Sequence, residues 1–274
     1  MFVPVYGYNP YNTYRQTDSS QASSGNEYAA SATCPMWETF LDRVLKGDKA
    51  LIGFLQRAIG YSLTGLVKEH VFFFFYGTGA NGKTTFLGTI QKLLGDYATA
   101  GAPDLLLAKR GEAHPTEQAD LHGRRLVICS EVEQGRRFAE ATVKQLTGGD
   151  KIKARRMRED FWEFEPTHKL FLQANHKPTV VGSDHAIWRR VLLVPFTVTI
   201  PQEERDKDLP SKLEEELPGI LRWAVDGGLR YQADGLQPPG VVIAATDEYR
   251  NEMDVLADFI EECCIVRDEA EVPA

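Results

Sequence analysis

Apolar positions near the start of the chain recur with a helical period. Trp37, Phe40, Leu41, Val44 and Leu45 follow i, i+3, i+4 spacing, and "KGD" at 46–48 breaks the run. A second stripe follows, with Leu51, Ile52, Leu55, Ala58 and Ile59 on one face. Two short amphipathic helices ending near Leu66 predict a helical collar. Both stripes read as core, with no chemistry assigned to them.

From Val71 the pattern changes. Continuously apolar runs at 71–76, 125–129, 169–173 and 191–196 are separated by helical stretches at 83–94 and 140–146. Short buried strands alternating with helices predict a parallel sheet covered on both faces. After Pro201 the chain reads as helix again, with a stripe of Leu217, Ile220, Leu221, Ala224 and Val225 closed by "LQPPG" at 236–240. Residues 1–33 have no sustained apolar period and are rich in Tyr, Ser, Asn, Gln and Gly, which predicts a disordered leader. The expected division is therefore leader 1–33, collar 34–68, α/β core 69–200 and helical C-terminal segment 201–274.

Composition changes this picture little. The 274 residues are 43% hydrophobic and 26% charged, enough to bury a core. No apolar run is long enough to cross a bilayer, and no secretory signal pattern opens the chain. Cys34, Cys129, Cys263 and Cys264 lack metal-ligand spacing and suit a reduced, cytoplasmic setting.

The sharpest chemistry is "GTGANGKT" at 77–84, which fits G-x-x-x-x-G-K-[ST] without a mismatch. It lies between an apolar strand and an apolar helix, as a phosphate-binding loop requires. Gly77, Thr78, Gly79, Ala80, Asn81 and Gly82 would wrap backbone N–H groups around phosphates, with Thr85 beside them in the first turn of the helix. Lys83 would reach the β- and γ-phosphates of a nucleoside triphosphate, and the Thr84 hydroxyl would ligate Mg²⁺.

Three further stretches bear on hydrolysis. "RLVICSEVEQG" at 125–135 is an apolar strand ending in Glu131 and Glu133. If that strand lay next to the phosphate-loop strand, Glu131 would reach the same edge, to organise Mg²⁺ and polarise water, with Glu133 assisting. "HKLFLQANHKP" at 168–178 ends a strand in Asn175, whose amide would position water or touch the γ-phosphate; taken alone it equally fits a turn residue. "AIWRRVLLVPF" at 186–196 sets Arg189 and Arg190 before a buried strand. Either would stabilise a transferring phosphoryl group from a neighbouring subunit, or simply pair with surface acids.

Net charge is −8, yet six basic residues lie between Lys144 and Arg158 against one acid, Asp150. "GGDKIKARRMREDFWEFEP" at 148–166 predicts two short strands with a charged tip at 155–160. Lys151, Lys153, Arg155, Arg156 and Arg158 would neutralise nucleic-acid phosphates there; a plain solvated loop is the alternative. Phe161 and Trp162 read as packing for the hairpin base rather than as base-stacking residues.

In this order the motifs resemble the C-terminal helicase region of phage and plasmid primase-helicases, within the superfamily 3 helicases and the AAA+ class, akin to the poxvirus primase-helicase. The resemblance runs from about Pro35 to Glu262. It implies an α/β AAA+-like core behind a helical collar, a homo-hexameric ring, ATP and Mg²⁺ at subunit interfaces, and translocation on single-stranded DNA at a replication fork. It further implies that Gly77 to Thr84 is motif A, Glu131 the motif B acid, 151–158 the DNA-binding hairpin, Asn175 the motif C residue, and Arg189 the trans-acting arginine, ahead of Arg190. A primase or initiator partner and a bacterial host cytoplasm follow from the same resemblance.

Two departures stand out. Ser130 precedes Glu131 where the superfamily often has paired acids. Only 34 residues precede the first helix and the sequence stops at Ala274, so no primer synthesis is expected and a truncated or split gene product is. Rival readings are a phosphate-loop kinase for a small substrate and an inactive DNA-binding or oligomerisation remnant.

Overall fold

The phenylalanine run anchors the core because a strand turns alternate side chains to opposite faces. In the computed structural model, which describes residues 23–102, 104–108, 115–130, 134–181 and 185–254, Phe72, Phe73, Phe74 and Phe75 are all fully buried. Each contributes about 1.5–3 kcal/mol by leaving water. A strand apolar on both faces needs cover on both, and the chain supplies it.

In chain order the elements are α1 (Pro35–Val44), α2 (Lys49–Leu63), β1 (Phe72–Tyr76), α3 (Lys83–Leu94), β2 (Ala98–Ala100), α4 (Pro115–Ala119), β3 (Leu126–Ser130), α5 (Glu140–Thr147), β4 (Ile152–Ala154), β5 (Trp162–Phe164), β6 (Lys169–Ala174), α6 (His185–Trp188), β7 (Val191–Pro195), α7 (Leu209–Glu215), α8 (Leu217–Asp234) and α9 (Gly240–Glu252). The main sheet runs β2-β3-β6-β1-β7 with every pairing parallel. The expected α/β class and parallel sheet are therefore present. One expectation needs correction: β6, not β3, pairs with β1 on the side facing β3. The strand leading to Glu131 lies one place further out, although parallel pairing still brings its end to the phosphate-loop edge.

Phe73 and Phe75 join one core with α1, α2, α3 and α8, while Phe72 and Phe74 join the other with α5, the β4–β5 hairpin and Tyr249 of α9. Asp48 caps α2 by accepting from the Ala50 and Leu51 amides, both at 3.0 Å. Cys34 gives α1 no side-chain cap; the Glu216 carboxylate accepts from Met36 N at 3.0 Å and Trp37 N at 2.9 Å instead. Of the expected leader, residues 23–33 are described, and Asn26 Nδ2 donates to Leu93 O at 2.9 Å, holding this stretch to the end of α3. The α8 stripe is present, with Ile220 and Ala224 fully buried and Leu217 packed against the core, but the inward face is wider than expected. Leu221 and Val225 are only half-buried, whereas Trp223 packs edge-on against Trp37 of α1 and Gly227 and Gly228 lie against α2. Among the described residues, no helix is long and apolar enough to cross a membrane.

Candidate functional site

β1 ends at Tyr76 and α3 begins at Lys83, leaving six residues to reverse the chain. The turn depends on unusual backbone: Gly79 has φ 113°, Ala80 φ 49° and Gly82 φ 87°. A side chain at Gly82 would be strained, and its Cβ would also lie 2.6 Å from Val44 Cγ1. The loop is fastened from outside, with Ile200 N donating to Ala80 O at 2.8 Å and Asn81 Nδ2 donating to Phe196 O at 3.3 Å. Gly82 provides no side-chain cap for α3. The first amides of that twelve-residue helix therefore retain the donor capacity and positive end that attract an anion.

Lys83 is only 5% exposed and folds back over the loop. Its Nζ donates to Gly77 O at 2.6 Å, Asn81 Oδ1 at 3.1 Å and Asn175 Oδ1 at 3.1 Å. Burial pushes the Lys83 ammonium down to about 8, since no carboxylate offsets its loss of water among the described residues. Asn175 immediately follows β6, the strand hydrogen-bonded to β1, so sheet order accounts for the contact. Thr84 is exposed and Thr85 half-buried in the first turn of α3. Glu131 and Glu133 lie outside the described residues. The last described residue before them, Ser130, ends β3 and accepts from Gln173 Nε2 at 2.9 Å.

The two arginines part company. Arg190 donates from Nη1 to Ala186 O at 2.9 Å, and its carbonyl accepts from Phe72 N at 2.8 Å. Arg189 is exposed. Both precede β7, whose first residue Val191 pairs with Phe72, whereas the phosphate loop follows the other end of β1. The arginines and their own loop are thus separated by the length of a five-residue strand, roughly 17 Å at about 3.3 Å per residue.

The predicted hairpin is present as β4 and β5, antiparallel, with Lys153 opposite Glu163. Lys151, Lys153, Arg155, Arg156 and Arg158 are all exposed, and Arg158 at the tip has φ 65°. Trp162 packs at the hairpin base, edge-on to His122 at 4.8 Å and against Phe164 at 5.1 Å. Phe161 does not share that role, being 49% exposed.

A cleft of about 340 Å³ beside the loop escaped the sequence reading. It is bounded by Thr39, Phe40 and Arg43 of α1, by Gly82 and Thr85, and by Leu209 of α7. Arg43 forms an ion pair with Glu204 across it. Its walls come from three distant segments, so no local motif could announce it; α1 carried only a core signal.

Residues 75–190 match a family of unknown function, DUF5906. The chain is 30% identical over 240 residues to "Putative helicase L207/L206" of Acanthamoeba polyphaga mimivirus, an alignment covering 81% of this chain and 25% of that protein. "Putative helicase 022R" of Frog virus 3 is 28% identical over 236 residues, covering 78% of this chain and 24% of its own length. "Putative primase C962R" of African swine fever virus (isolate Warthog/Namibia/Wart80/1980) is 26% identical over 128 residues, covering 46% of this chain and 13% of its own length. The chain spans about a quarter of the two helicase-named relatives. Among solved structures, the apo C-terminal region of NrS-1 has the same fold, with a TM-score of 0.59 at 13% identity over 89% of this chain and 62% of that one. Proteins of large DNA viruses named as putative helicases and a putative primase are thus among the chain's homologues.

Proposed function

We propose that the chain is the ATP-driven motor module of a replication helicase, hydrolysing ATP between subunits of a homo-hexameric ring to move along single-stranded DNA. The observation that carries this reading is the meeting of Lys83 and Asn175 over a phosphate loop whose helix N-terminus has no side-chain cap. A lysine in that position meets the β- and γ-phosphates, and an amide at 3.1 Å from it lies within reach of an attacking water. The cleft lined by Phe40 and Leu209 offers an apolar wall for the base of the same nucleotide.

Mg²⁺ takes one or two protein ligands and otherwise phosphate and water oxygens. The exposed Thr84 hydroxyl at the start of α3 fits that modest demand, and Glu131 is the acid proposed to accompany it. When bound, Mg²⁺ would neutralise charge building on the transferring phosphoryl group. The protein's own groups hold the triphosphate, orient water and exclude bulk solvent. Arg189 lies too far from its own loop to assist there, so it is assigned to the neighbour's site, which makes activity dependent on assembly. The replicon would be viral, phage or plasmid, working with a primase or initiator inside its host cell.

The deciding experiment measures ATP hydrolysis by the purified chain with and without single-stranded DNA, beside Lys83→Ala. DNA-stimulated turnover that vanishes in the variant is expected. Turnover indifferent to DNA would favour a small-substrate kinase, and none at ring-forming concentration would favour an inactive remnant.

A further inference from the structure

The hairpin holds one aromatic ring away from its packed base. Phe161 is about half exposed, and two cations converge on its ring: the Arg155 guanidinium carbon is 4.8 Å and the Lys153 Nζ 5.1 Å from the centroid. Among the described residues neither cation is in an ion pair, although Glu163 is the register partner of Lys153. Two like charges sharing one ring repel each other, and the ring's negative face offsets only part of that. Such a cluster is best satisfied by an external polyanion. The hairpin beneath is fixed, because Trp162 and Phe164 pack against His122.

We propose that Phe161 is a positioning residue for nucleic-acid binding: its ring aligns Lys153 and Arg155 so that both meet neighbouring phosphates of one strand. The inference rests on the DNA-motor reading and deepens it, since it says how the hairpin would grip the backbone. Phe161 itself would contribute little base stacking, because two cations already lie against its ring. Without the ring, the two long side chains would sample many rotamers, and ordering them on DNA would cost more.

The test is fluorescence anisotropy of a labelled oligothymidylate with the full chain and with Phe161→Ala, Phe161→Tyr and Phe161→Leu, over a series of salt concentrations. Phe161→Ala is expected to weaken binding roughly three- to tenfold at low salt. It should also reduce the salt slope by up to about 1.4, the share of two phosphate contacts on a single strand. Phe161→Tyr should restore both quantities and Phe161→Leu neither, while hydrolysis without DNA is unchanged in all three. Unchanged affinity and slope in Phe161→Ala would overturn the proposal. So would weaker binding with an unchanged slope, which would instead mark Phe161 as a base-stacking platform. A wild-type chain that fails to bind the oligonucleotide would overturn the DNA reading itself, and is distinct from either result.

Discussion

Lys83 Nζ donates to Asn175 Oδ1 at 3.1 Å, joining a loop at the end of β1 to the tip of the neighbouring strand, 92 residues later in the chain. The contact places the amide beside the group assigned to the phosphates. Asn175→Ala should reduce ATP turnover at least tenfold. It should cost no more than about 3 kcal/mol of stability, the upper worth of one hydrogen bond to a charged group. Steady-state hydrolysis and a urea titration of the same preparation check both halves. Normal turnover in the variant would remove Asn175 from the site.

Nucleotide binding should be linked to proton uptake. Burial holds Lys83 at about 8, so much of it is neutral in the empty protein at pH 9. Phosphates favour the ammonium and would raise its pKa, so at pH 9 binding should draw most of one proton from the buffer and at pH 6.5 almost none. Calorimetry in two buffers of different ionisation enthalpy measures this. Lys83→Arg stays charged throughout and should abolish the uptake. Asn175→Asp should also diminish it, by stabilising the ammonium before nucleotide arrives.

The phosphate loop, its strand and its helix were legible in the sequence because their signal is local. The spacing of glycines and Lys83, followed by an apolar period of 3.6, matches α3 at Lys83–Leu94. The collar stripe was legible for the same reason, with Trp37, Phe40, Leu41, Val44 and Leu45 all buried. Strand order was not. Nothing local in "RLVICS" says that β6 comes between it and β1, because order is set by crossovers and not by propensity. β2, only three residues of "ATA" at the sheet edge, carries no apolar signal. The cleft at Phe40 and the cap from Glu216 likewise join segments about 160 to 180 residues apart. Periodicity finds Ile220 and Ala224 on the inward face of α8 but not Gly227 and Gly228, because a glycine carries no apolar signal.

Those glycines set the distance between α2 and α8. A Cβ on Gly227 would lie 2.0 Å from Gln56 O, and one on Gly60 would lie 2.0 Å from Gly228 N. Both obstacles are backbone atoms, so the helices must separate to admit a methyl group. Gly227→Ala should destabilise by at least the ~1–3 kcal/mol typical of overpacking. Gly53 provides the contrast on α2, where a Cβ meets only Arg57 Nη1 at 3.6 Å. Gly53→Ala should therefore gain up to about 1 kcal/mol from helix propensity. Urea midpoints of the two variants should move in opposite directions; a common direction would contradict the close crossing.

His168 should make the fold sensitive to acid. It is 2% exposed at the entry to β6, and burial, aided by the neighbouring Lys169 charge, pushes it down to about 4; a contact with the Leu146 backbone acts the other way. The unfolded chain would protonate this imidazole near 6.5, so between those values the unfolded state binds more protons. The stabilisation is thus complete above pH 6.5 and is lost as pH falls toward 4, amounting to ~3 kcal/mol at 1.36 kcal/mol per unit. Lys169, pushed down to about 6 by burial and Arg125, acts with the same sign but mainly between pH 6 and 10.5. The two windows barely overlap, so His168→Gln isolates the first. The variant will be less stable than the parent at pH 7.5, and its urea midpoint should fall less between pH 6.5 and 4.5. Parallel curves for parent and variant would mean that His168 is not buried in its neutral form.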